Sequence, residues 1–144
     1  MRRNPLCLLL ALALAGGAVA PIALAAKPAD KAAQIERGRY LVEGVGMCID
    51  CHSPRLATGE YDRSRWLMGS PLPFAPSVPM PAWAPAAPSI AGLENYTDEE
   101  AVKLMVTGVT PLESPLRPPM PQYRMNADDA EAVVAYLRSL PISR

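Results

Sequence analysis

The sequence contains little histidine, little cysteine and no net charge. It holds one histidine, three cysteines and one phenylalanine among 144 residues, and 14 Lys and Arg balance 14 Asp and Glu. A zero net charge gives no indication of nucleic acid or of an anionic membrane surface as a partner. Alternating apolar and polar runs typical of half-buried strands are also missing. We therefore expect one helical domain.

The first 25 residues have the features of a secretory signal peptide. Arg2 and Arg3 precede an uninterrupted apolar run at residues 6–15, and Ala23-Leu24-Ala25 offers small side chains to a signal peptidase. We expect cleavage after Ala25 or Ala26, which leaves residues 26–144 as one domain exported to the periplasm.

An uncleaved membrane anchor is the alternative interpretation of this segment. Residues 5–26 are nearly long enough to span a bilayer. Gly16, Gly17 and Pro21 weaken that segment as a continuous helix, because glycine and proline disfavour helix interiors. Membrane association is therefore expected only if the signal stays uncleaved.

Two cysteines follow the predicted signal, and the only histidine comes directly after them. The run Cys48-Ile49-Asp50-Cys51-His52 is the attachment pattern of c-type haem. Thiols at this spacing lie about one helical turn apart, so both can add to the vinyl groups of one porphyrin edge. A zinc site would lack a fourth protein ligand, and a thioredoxin-like pair would lack its βαβ context. We predict one covalent haem c, with His52 on its iron.

A methionine is the expected ligand on the opposite side of the iron, because no second histidine exists. Met105 falls in a predicted helix and Met68 in a poorly defined segment, whereas Met125 closely precedes the last helix. Met80 and Met120 each lie between prolines, which fix φ and stiffen a loop. The residues alone leave Met80, Met120 and Met125 open.

Three segments have helical periodicity and capping residues: residues 31–43, 98–107 and 127–140. The expected N-caps are Asp30, Thr97 and Asn126. Thr97 forms a capping box with Glu100, and Gly108 is well placed to end that helix. Residues 53–96 carry eight prolines, so we expect an extended loop rather than a regular helix or sheet.

Aromatic side chains in this proline-rich stretch favour an ordered loop over a disordered linker. Trp66, Phe74 and Trp83 need an apolar surface, and a porphyrin edge is the available candidate. The same stretch holds the candidates for binding the haem propionates: Arg55, Arg65, Trp66 and Trp83.

The order of helix, C-x-x-C-H motif, irregular loop, helix, methionine loop and terminal helix resembles the class I cytochrome c family. Gly-Arg-Tyr-Leu at 38–41, Met120-Pro121-x-Tyr123 and Ala135-Tyr136-Leu137 resemble haem domains of cytochrome subunits of bacterial periplasmic dehydrogenases. The resemblance covers residues 34–141. It implies an all-α cytochrome c fold of three to four helices with long proline-rich loops around one haem.

The resemblance also assigns individual residues. Chain order in the family favours Met120 as the distal ligand. The first and last helices are expected to cross at Gly38, with Tyr40 and Tyr136 beside the crossing. The implied function is a one-electron carrier between a dehydrogenase and a respiratory acceptor, not an enzyme.

Two other functions remain open at this stage: a haem enzyme or sensor with a labile distal ligand, and a tightly bound cytochrome subunit of a dehydrogenase. The expected partners are redox proteins, a dehydrogenase or an oxidase, and no nucleic acid. Signal removal leaves 12 Lys and Arg against 14 Asp and Glu, a net charge of −2. A basic or mixed docking surface on the partner is favoured by that charge.

Overall fold

The computed structural model describes residues 30–142. The predicted signal peptide at residues 1–25 and its cleavage site lie outside this range. Four α-helices and one small sheet are present in the described chain: α1 (Lys31–Tyr40), α2 (Cys48–His52), β1 (Ser70–Pro71), β2 (Ala86–Ala87), α3 (Asp98–Thr107) and α4 (Ala127–Ser139). The prediction of a mainly helical fold is confirmed.

All three predicted N-caps are confirmed, because their signals are local. The Asp30 side chain accepts a hydrogen bond from the Ala32 N–H. Thr97 and Glu100 form the complete capping box of α3. The Asn126 side chain accepts from the Asp129 N–H at the start of α4. Gly108 ends α3 in the left-handed conformation that glycine adopts at low cost.

The first helix differs from its prediction in pitch. After Tyr40 the chain widens into a π-helical turn, Leu41–Val45, instead of continuing as α-helix to Glu43. The Gly46 N–H donates to the Leu41 carbonyl over 2.7 Å and closes this turn. Met47 then takes a positive φ of 48° before α2 begins. The widened turn thus leads into α2, which carries the C-x-x-C-H motif.

Helices α1 and α4 cross with their backbones in contact at Gly38. A Cβ atom at Gly38 would lie 1.9 Å from the Ala132 carbonyl oxygen and 2.8 Å from the Tyr136 Cβ. The predicted crossing at Gly38 beside Tyr136 is therefore confirmed. Tyr40 is 54% exposed, and its ring centre lies 5.7 Å from the guanidinium of Arg37.

The proline-rich segment folds back on itself as a hairpin. β1 and β2 pair antiparallel, Ser70 with Ala87 and Pro71 with Ala86, and enclose residues 72–85. The prediction of no regular structure from Pro71 to Pro88 missed this ladder, which stops after two pairs because proline has no N–H to extend it. Within the hairpin, Phe74 and Trp83 meet edge to face at 5.8 Å.

Trp66 packs against the helices and not in the hairpin. Its indole Nε1 donates to the Tyr136 hydroxyl over 3.3 Å, and its ring meets Tyr61 edge to face at 5.7 Å. Just after it, the Leu67 side chain is completely buried. The segment after α2 is thus anchored in the helical core, and the hairpin extends from it.

Candidate functional site

The two cysteines of the motif lie on the single turn of α2, and both thiols are free. Cys48 and Cys51 are each half-buried, so the thiols are held by the fold but stay reachable. Burial raises the pKa of both thiols. One helical turn thus presents both sulfurs together with His52.

The His52 ring is buried, with 5% of the residue exposed. Its Nδ1 lies 2.7 Å from the Pro88 carbonyl oxygen. A carbonyl only accepts, so Nδ1 carries the proton and Nε2 keeps its lone pair. Burial lowers the pKa of His52, which keeps the ring in the neutral form that binds metals.

The lone pair of His52 Nε2 has no partner within residues 30–142, where Nδ1 makes the ring's only hydrogen bond. Nε2 therefore keeps a free electron pair with respect to these residues. This is the donor that a haem iron requires.

A close backbone approach places the Pro88 carbonyl beside the ring. The Gly69 N–H donates to the His52 carbonyl over 2.7 Å. Gly69 has a φ of +87°, and a Cβ there would lie 2.9 Å from the Ala87 carbonyl oxygen and 3.0 Å from the Pro88 carbonyl carbon. Sequence reasoning missed Gly69 and Pro88, since no local pattern connects them to a histidine far along the chain.

The donor set of α2 fits covalently bound haem. Two free thiols, one helical turn apart, precede a neutral imidazole whose orientation is fixed by a backbone carbonyl. The hairpin also exposes apolar side chains: Phe74 is 48% exposed, Val78 62% and Met80 40%. An apolar porphyrin face can cover side chains of this kind.

The methionines divide into two groups by their packing. Met68, Met105 and Met125 are partly buried against the hydrophobic core, which is a sufficient structural role for each. Met120 is half-buried and Met80 is 40% exposed, and neither belongs to that core. Of the three methionines that the residues left open, Met125 alone packs against the hydrophobic core.

The Met120 loop is tied to the hairpin by side-chain and backbone hydrogen bonds. The Arg117 guanidinium donates to the Ala82 and Trp83 carbonyls over 3.1 and 2.8 Å. The Ala84 N–H donates to the Pro118 carbonyl over 2.7 Å. The prolines of this loop have carbonyl acceptors but no N–H donors, and the guanidinium of Arg117 supplies hydrogen-bond donors in their place. Sequence reasoning did not single out Arg117.

Three of the four propionate candidates are engaged elsewhere. Arg55 donates to the Gly59 carbonyl and the Tyr61 hydroxyl. Arg65 pairs with Asp62 at 2.7 Å, and Trp66 donates its only N–H to Tyr136. The indole N–H of Trp83 makes no hydrogen bond to any residue from 30 to 142, and the guanidinium groups of Arg55 and Arg65 each keep further N–H donors.

Other site classes find no support in the part of the chain that is described. Residues 30–142 contain no cluster of three or more His, Cys, Asp or Glu side chains that could hold a metal ion. Within the same range, every helix is too short or too polar to cross a bilayer.

Comparison with known proteins agrees with this site. The chain matches the family model of cytochrome c over residues 35–141. It is 34% identical over 117 residues to a diheme cytochrome c-type protein of Cereibacter sphaeroides, covering 78% of this chain and 37% of that protein. It is 31% identical over 114 residues to a fructose dehydrogenase cytochrome subunit of Gluconobacter japonicus, covering 73% and 22%.

These matches define the class of protein as an electron-transfer protein, not itself an enzyme. The chain belongs to the cytochrome c family, whose members carry covalently bound haem c. It spans little more than a third of the length of one of these relatives and under a quarter of the other. The predicted resemblance to cytochrome subunits of dehydrogenases is confirmed.

Proposed function

We propose that this chain is a periplasmic one-electron carrier with a single haem c. The observation that carries the proposal is the arrangement of α2, in which Cys48 and Cys51 present free thiols and a neutral, oriented His52 follows. One C-x-x-C-H motif occurs in the sequence, which supports one haem per chain. Bound here, haem supplies an iron that gains and loses one electron.

The residues of the chain have separate tasks in this proposal. Cys48 and Cys51 fix the porphyrin to α2 through thioether bonds. His52 ligates the iron through Nε2, and its hydrogen bond to the Pro88 carbonyl holds the tautomer and raises the basicity of the ligand. The hairpin covers apolar porphyrin surface and keeps water away, and Trp83 can donate to a propionate.

Met120 completes the coordination in this proposal. It lies in a loop stiffened by three prolines, Pro118, Pro119 and Pro121. Arg117 secures that loop to the hairpin, and packing outside the core leaves its thioether available. If His52 and Met120 both bind the iron, a haem held here would offer no open coordination site to a substrate. A closed site favours electron transfer over catalysis at iron.

The ligand assignment is tested by Met120→Ala in the holoprotein, with Met80→Ala and Met125→Ala as matched controls. We expect the Met120 variant to lose the weak far-red sulfur–iron band, to show a lower potential and to bind carbon monoxide readily. The two controls should keep the band. Loss of the band in the Met80 variant alone would move the ligand to Met80, whereas rapid carbon monoxide binding by the wild-type ferrous protein would contradict a closed site.

Export to the periplasm is proposed from the N-terminal sequence. Arg2, Arg3, the apolar run and the Ala-Leu-Ala site support cleavage near Ala25. N-terminal sequencing of the mature protein should begin after Ala25 or Ala26. A mature chain that retains Arg2 in the membrane fraction would establish an anchor instead.

A dehydrogenase is the proposed source of electrons, and a respiratory protein the proposed acceptor. The relative in Gluconobacter japonicus is named as the cytochrome subunit of a fructose dehydrogenase, which also favours a second candidate, a tightly bound dehydrogenase subunit. Purification from the native periplasm distinguishes the two candidates. A free carrier should elute alone, and a subunit should elute with a dehydrogenase in a fixed ratio.

A further inference from the structure

Tyr123 links the methionine loop to the segment that leads into the haem-binding helix. It lies three residues after Met120, and its hydroxyl donates to the Gly46 carbonyl over 2.8 Å. Gly46 lies two residues before α2 begins at Cys48. This single hydrogen bond therefore joins the two sides of the proposed haem site across 77 residues of sequence.

The contact is closely fitted around Gly46. A Cβ at this position would lie 3.3 Å from the Tyr123 hydroxyl oxygen and 3.3 Å from the Cys48 sulfur. The Tyr123 side chain is half-buried, and this burial raises its pKa. The phenol thus stays protonated at neutral pH and acts as a donor to the carbonyl.

The loop is held at its other end by different contacts. Arg117 binds the Ala82 and Trp83 carbonyls of the hairpin, and residues 118–122 run between these two attachments. A loop fixed at both ends swings away from its partner less often than a loop fixed at one end only. Met120 lies between the two fixed ends.

We propose that Tyr123 is a positioning residue that keeps the Met120 sulfur on the iron by binding the methionine loop to the backbone at Gly46. The proposal rests on the proposed function, because it requires haem on α2 and Met120 as the distal ligand. Tyr123 touches neither the iron nor a substrate in this role. It acts through the loop, by reducing the fraction of time in which the sulfur is away from the iron.

The expected effect follows from the strength of one hydrogen bond. Replacing the phenol with phenyl removes the donor but keeps the ring and its apolar contacts. One such bond shifts a two-state equilibrium by about three- to tenfold. The Tyr123→Phe variant should therefore raise the population of the open loop by that factor.

The test measures imidazole binding to the ferric holoprotein, followed by the loss of the far-red sulfur–iron band. The apparent affinity for imidazole should rise about three- to tenfold in Tyr123→Phe, because the ligand enters when the loop opens. The matched control is Tyr61→Phe, which removes a hydroxyl that donates to Asp50 on α2 and does not contact the methionine loop. Its affinity should equal that of the wild type.

A second variant perturbs the same contact from the other side. Gly46→Ala places a methyl group against the Tyr123 oxygen and should also raise imidazole affinity. Wild-type affinity in both the Tyr123 and Gly46 variants, or an equal rise in the Tyr61 variant, would overturn the role of Tyr123. Absence of the far-red band from the wild-type ferric protein would instead overturn the assignment of Met120, and the two failures are thereby distinguishable.

Discussion

Replacing Gly38 with alanine should destabilise the protein, although alanine is the better helix former. Gly38 lies in the last turn of α1, which continues into the π-helical turn, and the α4 backbone leaves no room there for a side chain. The new Cβ would lie 1.9 Å from the Ala132 carbonyl oxygen and 2.6 Å from its carbonyl carbon. Ordinary contact begins near 3.4 Å, so the two helices must separate by about 1.5 Å at the crossing.

The size of the effect is a balance between two opposed contributions. Gly to Ala in a helix interior stabilises by about 1 kcal/mol. Overpacking against backbone, which cannot rotate away, costs about 3 kcal/mol or more. The free energy of unfolding should therefore fall by about 2 kcal/mol or more, which corresponds to a melting temperature lower by roughly 8 °C or more.

Thermal unfolding of the holoprotein, followed by far-UV circular dichroism, measures this difference. The matched control is Gly44→Ala, because the nearest atom to a Cβ at Gly44 is a Tyr40 ring carbon at 3.6 Å. That variant should melt at or up to about 4 °C above the wild type, since Gly to Ala in helical backbone without a clash stabilises by up to about 1 kcal/mol. A Gly38→Ala protein that melts at or above the wild-type temperature would refute the crossing geometry.

Two further predictions concern the proximal histidine and a buried phenol. Gly69→Ala should displace the Pro88 carbonyl from His52 Nδ1 and so make the imidazole less basic. A less basic imidazole stabilises ferric iron less, so a redox titration should find a higher reduction potential. An unchanged potential would contradict this role of the Pro88 carbonyl. Burial raises the pKa of Tyr136 to about 12 from 10.0. The unfolded chain therefore loses this proton at lower pH than the folded one, and the free energy of unfolding should fall as pH rises from about 10 to about 12. In Tyr136→Phe, urea unfolding followed by circular dichroism should show a smaller fall, and an identical fall would assign the effect to another group.

The parts of the fold that the sequence predicted are those whose cause is local. The caps at Asp30, Thr97 and Asn126 depend on side chains within three residues of the groups they bind. The motif on α2 likewise combines five consecutive residues. Each cap, and the motif, involves only a few consecutive residues, so the prediction did not depend on how the rest of the chain folds.

The features that were missed depend on contacts between distant segments. The Pro88 carbonyl meets His52 only because Gly69 allows the backbone to approach, and Tyr123 meets Gly46 across two loops. A sequence pattern carries no information about such pairings until the loops are placed.

The prediction of the distal methionine depends on both local residues and distant contacts. The prolines on either side of Met80 and of Met120 predict a stiff loop at both positions. Loop stiffness therefore does not show which of the two methionines is the ligand. In the structure Met125 packs against the core, and Arg117 secures the Met120 loop to the hairpin. The final assignment still rests on chain order within the family.

The central claim, one haem held covalently by α2, is tested most directly by intact-mass spectrometry of the mature protein after acid–organic extraction, with peptide mapping. We predict one added haem mass per chain, located on the peptide that contains Cys48, Cys51 and His52. A mature chain without haem, whose mass corresponds to a Cys48–Cys51 disulfide, would contradict the account.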